Sequence, residues 1–140
     1  HEEKWFDQVL NSPMDEQPML IEALQGDGWL PIGNIGFHNI NWRCRSAEVG
    51  IFIGKKSLWN QGYGGDAMRL LIQHGFDTLN LNRIALGVYA NNPRAIRSYE
   101  KVGFVLEGRQ RQGMYKQGHY VDILLMSILR SEWQNSQAAE

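Results

Sequence analysis

Hydrophobic and polar positions along this 140-residue chain change period several times, and each change marks an element. Over His1 to Leu10, Trp5, Phe6, Val9 and Leu10 recur at helical spacing before Asn11, Ser12 and Pro13 stop the pattern, which predicts a helix over 1–10. Met19 to Gln25 is a short apolar strand candidate, Gly26-Asp27-Gly28 a hairpin turn signal, and Trp29 to Ile40 the return strand. Pro31, Gly33 and Gly36 weaken that strand and mark candidate bulges. After a turn near Arg43 to Arg45, a strand over 47–54 completes an antiparallel meander. Gly65 to Leu79 then puts Met68, Leu71, Ile72, Gly75, Phe76 and Leu79 on one face of an amphipathic helix. Ile84, Leu86 and Val88 alternate in a strand over 83–90, and a strand, a helix and a second strand imply a right-handed crossover with the two strands parallel. Asn92 before Pro93, and Gly103 beyond, bound a helix over 93–102. Phe104 to Gln112 and Tyr120 to Leu129 form a last hairpin whose loop contains Gly113 and Gly118. Ser131 caps a final turn, and the tail 134–140 has little to hold it.

Composition narrows the class. A hydrophobic share of 43% and a charged share of 21% read as one soluble globular domain. The net charge of −1, with Lys and Arg scattered, gives no polybasic signature, so neither nucleic acid nor a membrane surface is an expected partner. Cys44, the single cysteine, excludes an intrachain disulfide framework and reads as a bystander in a reducing compartment. No apolar run reaches bilayer length and no signal peptide is visible, so the expected location is the cytoplasm. His74 and His119 have no metal-ligand spacing, and no metal is expected.

The stretch from Gly50 to Met68 carries the candidate chemistry. An apolar run ends at Gly54, a polar loop follows, and Gly62, Gly64 and Gly65 open a helix. Backbone N–H groups turned outward at a helix start favour a phosphate-bearing ligand. A kinase-type P-loop fails, because Gly64-Gly65-Asp66 has neither the lysine nor the metal-binding hydroxyl. A dinucleotide fingerprint fits Gly62 to Ala67 by letters alone; the long loop, the strand ending in Ala90-Asn91-Asn92 and the preceding antiparallel strands argue against it.

A third ligand, the pantetheine pyrophosphate of CoA, rests on two blocks. Glu48 to Ala67 ends in a glycine motif, and Asn91 to Phe104 reads NNPRAIRSYEKVGF. In order and separation the pair is similar to the R/Q-x-x-G-x-G/A and N-x-x-A-x-x-x-Y-x-K-x-G-F blocks of the GNAT N-acetyltransferases. The ending Ser127 to Arg130 with Glu132-Trp133, and the strand Tyr120-Val121-Asp122, resemble the branch acting on ribosomal-protein N-termini and related small amines. Trp59 departs from the motif, which usually has Arg or Gln there.

The resemblance implies an α/β (α+β) fold: a mixed, mostly antiparallel sheet with one splayed parallel strand pair, flanked by helices. It implies a single acetyltransferase domain over 1–133 and a tail over 134–140, with the family's upstream strand and helix missing. It implies direct transfer of acetyl from acetyl-CoA, a cosubstrate, to a primary amine acceptor, and it leaves room for a homodimer. The backbone of Gln61, Gly62, Tyr63, Gly64 and Gly65 would hold the pyrophosphate, while Phe52 and Ile53 would edge the acetyl arm. Asn92, Ala95 and Lys101 would complete the cofactor site. Tyr99 would protonate the leaving thiolate, and Glu48 would be the base, with Asp122, Glu107 and His38 as rivals. Two other readings remain: a CoA-binding sensor or scaffold without turnover, and a dinucleotide-binding module.

Overall fold

The computed structural model describes residues 13–54, 59 and 62–139; the helix expected over 1–10 and Gln61 lie outside the described residues. Strands β1 (Met19–Gln25) and β2 (Gly28–Asn41) form the first hairpin through a two-residue turn, Gly26-Asp27, with Gln25 opposite Gly28. The register shifts where Ile21 faces Gly33 and Glu22 faces Pro31, so Ile32 is the extra residue of a bulge. The bulge lets Ile32 and Ile35, an odd number of residues apart, both point into the core at 3% and 5% exposure. The candidate bulge signals at Pro31 and Gly33 flank it.

Strand β3 (Ser46–Ile53) pairs antiparallel with β2. Helix α1 (Tyr63–Gln73) follows, and its last stretch, His74–Thr78, is wound as a π-helix, so the helix predicted through Leu79 loosens before it ends. Strand β4 (Arg83–Tyr89) returns parallel to β3, and helix α2 (Pro93–Val102) has the predicted bounds. Strands β5 (Val105–Lys116) and β6 (His119–Leu129) close the sheet in the order β1-β2-β3-β4-β6-β5. Among the described strands β3 and β4 are parallel, and each other neighbouring pair is antiparallel. This is the mixed sheet expected from the sequence.

The last third corrects two expectations. The loop of the final hairpin is only Gln117-Gly118, both with positive φ, as a tight turn between Lys116 and His119 requires. Gly113 instead lies inside β5, where the register shifts between Gln110 and Met114 and Asp122 accepts hydrogen bonds from Gln112 N–H at 2.7 Å and Arg109 at 2.7 Å. The tail is helical: α3 spans Arg130–Ala138. Long-range contacts hold it. Arg130 donates to the carbonyls of Leu81 and Phe76, and Trp133 packs tilted against Phe76 at 5.2 Å between centroids; locally, Glu132 accepts from the Leu129 N–H at 2.9 Å.

The core lies between the sheet and α1, where Phe37, Met68, Ile72, Phe76, Ile84 and Met126 are at most 1% exposed. Helix α2 has no fully buried residue; Ala95, Ile96, Tyr99 and Val102 lean on the core from its edge. That half-seated position leaves one side of α2 facing a groove.

Candidate active site

Parallel pairing of β3 and β4 covers only Ser46↔Arg83, Ala47↔Ile84 and Glu48↔Ala85. Beyond Glu48 both strands continue, β3 to Ile53 and β4 to Tyr89, without pairing to each other. Right-handed strand twist drives the split once hydrogen bonds cease to hold the edges together. The facing backbone groups of Gly50 to Ile53 are thereby left to an extended ligand, as at any free sheet edge.

A groove of about 310 Å³ opens at this split. It gathers Phe52, Ile53, Gly62, Tyr63, Gly64, Gly65, Asn92, Ala95 and Tyr99, nine of the residues singled out from the sequence. At its α1 end Gly62 caps the helix with φ +85°, a conformation that carries a penalty for any residue with a Cβ. The first helical hydrogen bond there runs from Asp66 N–H to the Gly62 carbonyl. The amides of Tyr63, Gly64 and Gly65 lie ahead of it and point out of the helix end, the arrangement that receives an anion. A Cβ on Gly64 would meet the Ile53 side chain at 3.4 Å, so helix and strand approach closely there. The groove therefore joins a free strand edge to a helix end suited to an anion.

Asn92 accepts a hydrogen bond from Ala95 N–H at 3.3 Å and so starts α2 at the groove's other wall. Replacing it with alanine should cost about 1 kcal/mol of stability, read as a lower denaturation midpoint with an unchanged slope.

Tyr99 lies one and a half turns into α2, edge-on to Phe104 at 6.0 Å between centroids. It borders both the groove and an adjoining hollow of about 400 Å³ lined by Gly87, Val88, Tyr89, Met114 and Ile123. Burial pushes its phenol above the ordinary tyrosine value, and the Arg94 charge partly opposes that. The hydroxyl is a protonated donor across the neutral range.

Two residues expected in the site stand outside the groove lining: Lys101 is exposed on α2, and Glu48 is on the face of β3 opposite α1. Glu48 occupies the last parallel rung, so it stands where the strands part. It is half-exposed and bound to the His38 ring at 3.2 Å and to the Asn39 amide at 2.9 Å. Two rival bases are engaged elsewhere. Glu107 grips Arg83 with both oxygens and accepts from Ser127, which holds its carboxyl below the usual range. Asp122 is lowered by the Gln112 N–H and by Arg109. Both are structural clasps and weak proton acceptors.

The groove also contains residues that sequence patterning did not assign to the cofactor: Ile51, Trp59, Arg94 and Ser98. Only Trp59 carried a signal, as a departure from the glycine motif. A larger hollow, about 440 Å³, lies between β1 and α1 and is lined mainly by aliphatic side chains such as Leu20, Leu24 and Leu70. It shares Tyr63 with the smaller groove, but of these two only the smaller one is lined by Gly62, Gly64, Gly65, Asn92 and Tyr99. Among the described residues no cluster of three or more His, Cys, Asp or Glu is arranged to hold a metal, and no helix is long and apolar enough to cross a membrane.

Comparison with known proteins gives one family. Residues 1–105 match the Acetyltransferase (GNAT) domain. A Bacillus subtilis (strain 168) protein, named provisionally as a ribosomal N-acetyltransferase, is 36% identical over 118 residues, covering 84% of this chain and 63% of that protein. The spermidine N(1)-acetyltransferase of Vibrio cholerae is 35% identical over 104 residues, covering 74% of this chain and 60% of that enzyme. The chain thus spans less than two thirds of the length of these relatives. A crystal structure of the Vibrio cholerae spermidine N-acetyltransferase with CoA and spermine superposes with a TM-score of 0.84 at 30% identity, covering 96% of this chain and 76% of that one.

Proposed function

This chain belongs to the GNAT acetyltransferase family, and we propose that it moves an acetyl group from acetyl-CoA to a small primary amine, directly and within a ternary complex. The observation that carries the reading is the parallel strand pair that parts after three rungs, with a glycine helix start on one side of the opening and Tyr99 on the other. The choice of a small amine over a protein N-terminus draws support from the solved relative in complex with CoA and spermine.

Acetyl-CoA, when bound, supplies an activated thioester. The amides of Tyr63 to Gly65 hold phosphate, and the unpaired edge of β3 at Phe52 and Ile53 holds the acyl arm. The amine forms its new C–N bond as the C–S bond breaks. Before attack Glu48 takes the ammonium proton, directly or through water; the second nitrogen proton, released as the C–N bond forms, passes to water, and the departing thiolate takes a proton from the Tyr99 hydroxyl, which water restores. An amine with pKa near 10 is almost wholly protonated at neutral pH, so a base is needed before attack. Glu48 stands outside the groove lining, at the rung where the strands part, which lets the amine approach the split from that end. Cys44 is in the turn between β2 and β3, away from the groove, and no acyl-cysteine enters the scheme.

Incubation with acetyl-CoA and a panel of polyamines, amino acids, amino sugars and N-terminal peptides, with free thiol recorded, tests this. Polyamine-dependent thiol release is the expected result. Binding of acetyl-CoA without release for any acceptor would replace the enzyme with a CoA sensor. Binding of nicotinamide nucleotides without affinity for CoA would overturn the ligand assignment.

A further inference from the structure

We propose that Arg94 is a ligand for the pyrophosphate of CoA and that Trp59 is the positioning residue that holds it; this rests on the cofactor assignment above. The Arg94 guanidinium lies over the Trp59 ring, 3.9 Å from its centroid. The Trp59 indole N–H donates to the Ile53 carbonyl at 3.1 Å, which pins the ring to the end of β3. Both side chains line the groove that contains Gly62, Gly64 and Gly65. The pair therefore bridges the groove from the β3 wall to the first turn of α2.

The ring contact fixes the use of the guanidinium. A guanidinium seated over an aromatic face is held there by the ring quadrupole while its N–H groups can still take an anion. Other arginines of this protein are committed: Arg69 to Asp66, Arg83 to Glu107 and Arg109 to Asp122. Among the described residues Arg94 faces no carboxylate, although it is half-buried in a groove wall. A half-buried cation in a groove whose other charge-binding feature is a helix N-terminus completes an anion site. Trp59 stands where the glycine motif would have Arg or Gln, so the cation is brought from the opposite wall, and the aromatic residue supplies its seat.

Calorimetric titration separates the possibilities, using CoA, dephospho-CoA and, by displacement, pantetheine. The proteins are wild type, Arg94→Ala, Trp59→Ala and the double variant. Arg94→Ala should weaken CoA and dephospho-CoA alike by about tenfold or more, the worth of a charge-assisted contact. Pantetheine affinity should stay unchanged, which also reports an intact groove. Trp59→Ala should weaken CoA in the wild-type background and add little once Arg94 is gone, because a positioning residue has nothing left to position. Equal loss for CoA and pantetheine, or fully additive losses, would overturn the inference. A loss with CoA that is absent with dephospho-CoA would transfer the contact to the 3′-phosphate and overturn the pyrophosphate assignment. Wild-type protein that binds CoA while Arg94→Ala binds it equally well defeats this inference alone; wild-type protein that binds no CoA defeats the cofactor assignment with it.

Discussion

Tyr99→Phe is expected to lower kcat by about 10²- to 10⁴-fold, the usual worth of a positioned general acid, with little change in the affinity for CoA. The substitution keeps the ring that packs edge-on to Phe104 and removes only the hydroxyl. Stability should hold, so any loss of rate is chemical. The pH dependence follows from the direction of the phenol's shift. Burial raises its pKa, and a general acid works while protonated, so the alkaline limb due to Tyr99 lies above the ordinary tyrosine value of about 10. The same shift has a stability sign: the contribution is fully present below the unfolded pKa and is lost as pH rises through the higher folded one. A raised pKa also makes a weaker acid toward a thiolate whose parent thiol titrates near roughly 8.5. The nearby Arg94 charge works against that penalty. Tyr99→Phe with undiminished acceptor-dependent thiol release would remove the residue from the mechanism.

Much of this site was legible because its signals are local. Helix α2 could be bounded from Asn92, Pro93 and Gly103 alone, since a cap, a fixed φ and a helix-ending glycine act within a few residues. The glycine helix start and the β3 edge were legible for the same reason. What the pattern missed is set by residues distant in sequence. Arg94 lies on Trp59 across an open groove, and neither residue type at its own position announces the other. His38 meets Glu48 because the β2–β3 register puts them opposite one another, a relation that depends on the length and bulges of the hairpin. The polar composition of 134–140 reads as a tail, yet α3 runs through most of it because Trp133 finds Phe76 and Arg130 finds the carbonyls of Leu81 and Phe76. Gly113 reads as a loop residue; the clasp of Asp122 on Gln112 and Arg109 keeps it within an irregular strand.

Gly33→Ala is the substitution that should couple fold and cofactor most directly. Gly33 pairs with Ile53 at the free end of β3, and a Cβ there would fall on the Phe52 carbonyl oxygen and within 2.9 Å of the Ile53 Cα. These are backbone atoms, which cannot swing aside as a side chain would, so β2 and β3 must separate or shift. The expected cost is about 1–3 kcal/mol, as for other overpacked sites, a fall of several degrees in Tm. The displaced segment is the one proposed to edge the acyl arm, and its Ile53 carbonyl also anchors Trp59. CoA affinity should therefore drop at temperatures where the variant is still folded. Gly50→Ala, on the same strand, supplies the contrast: its Cβ would meet only the His38 ring, at 3.6 Å and 3.8 Å, which is ordinary contact. Gly50→Ala should keep Tm near the wild-type value. Equal behaviour of the two variants in thermal melts would mean that the end of β3 is not the rigid edge on which the cofactor site depends.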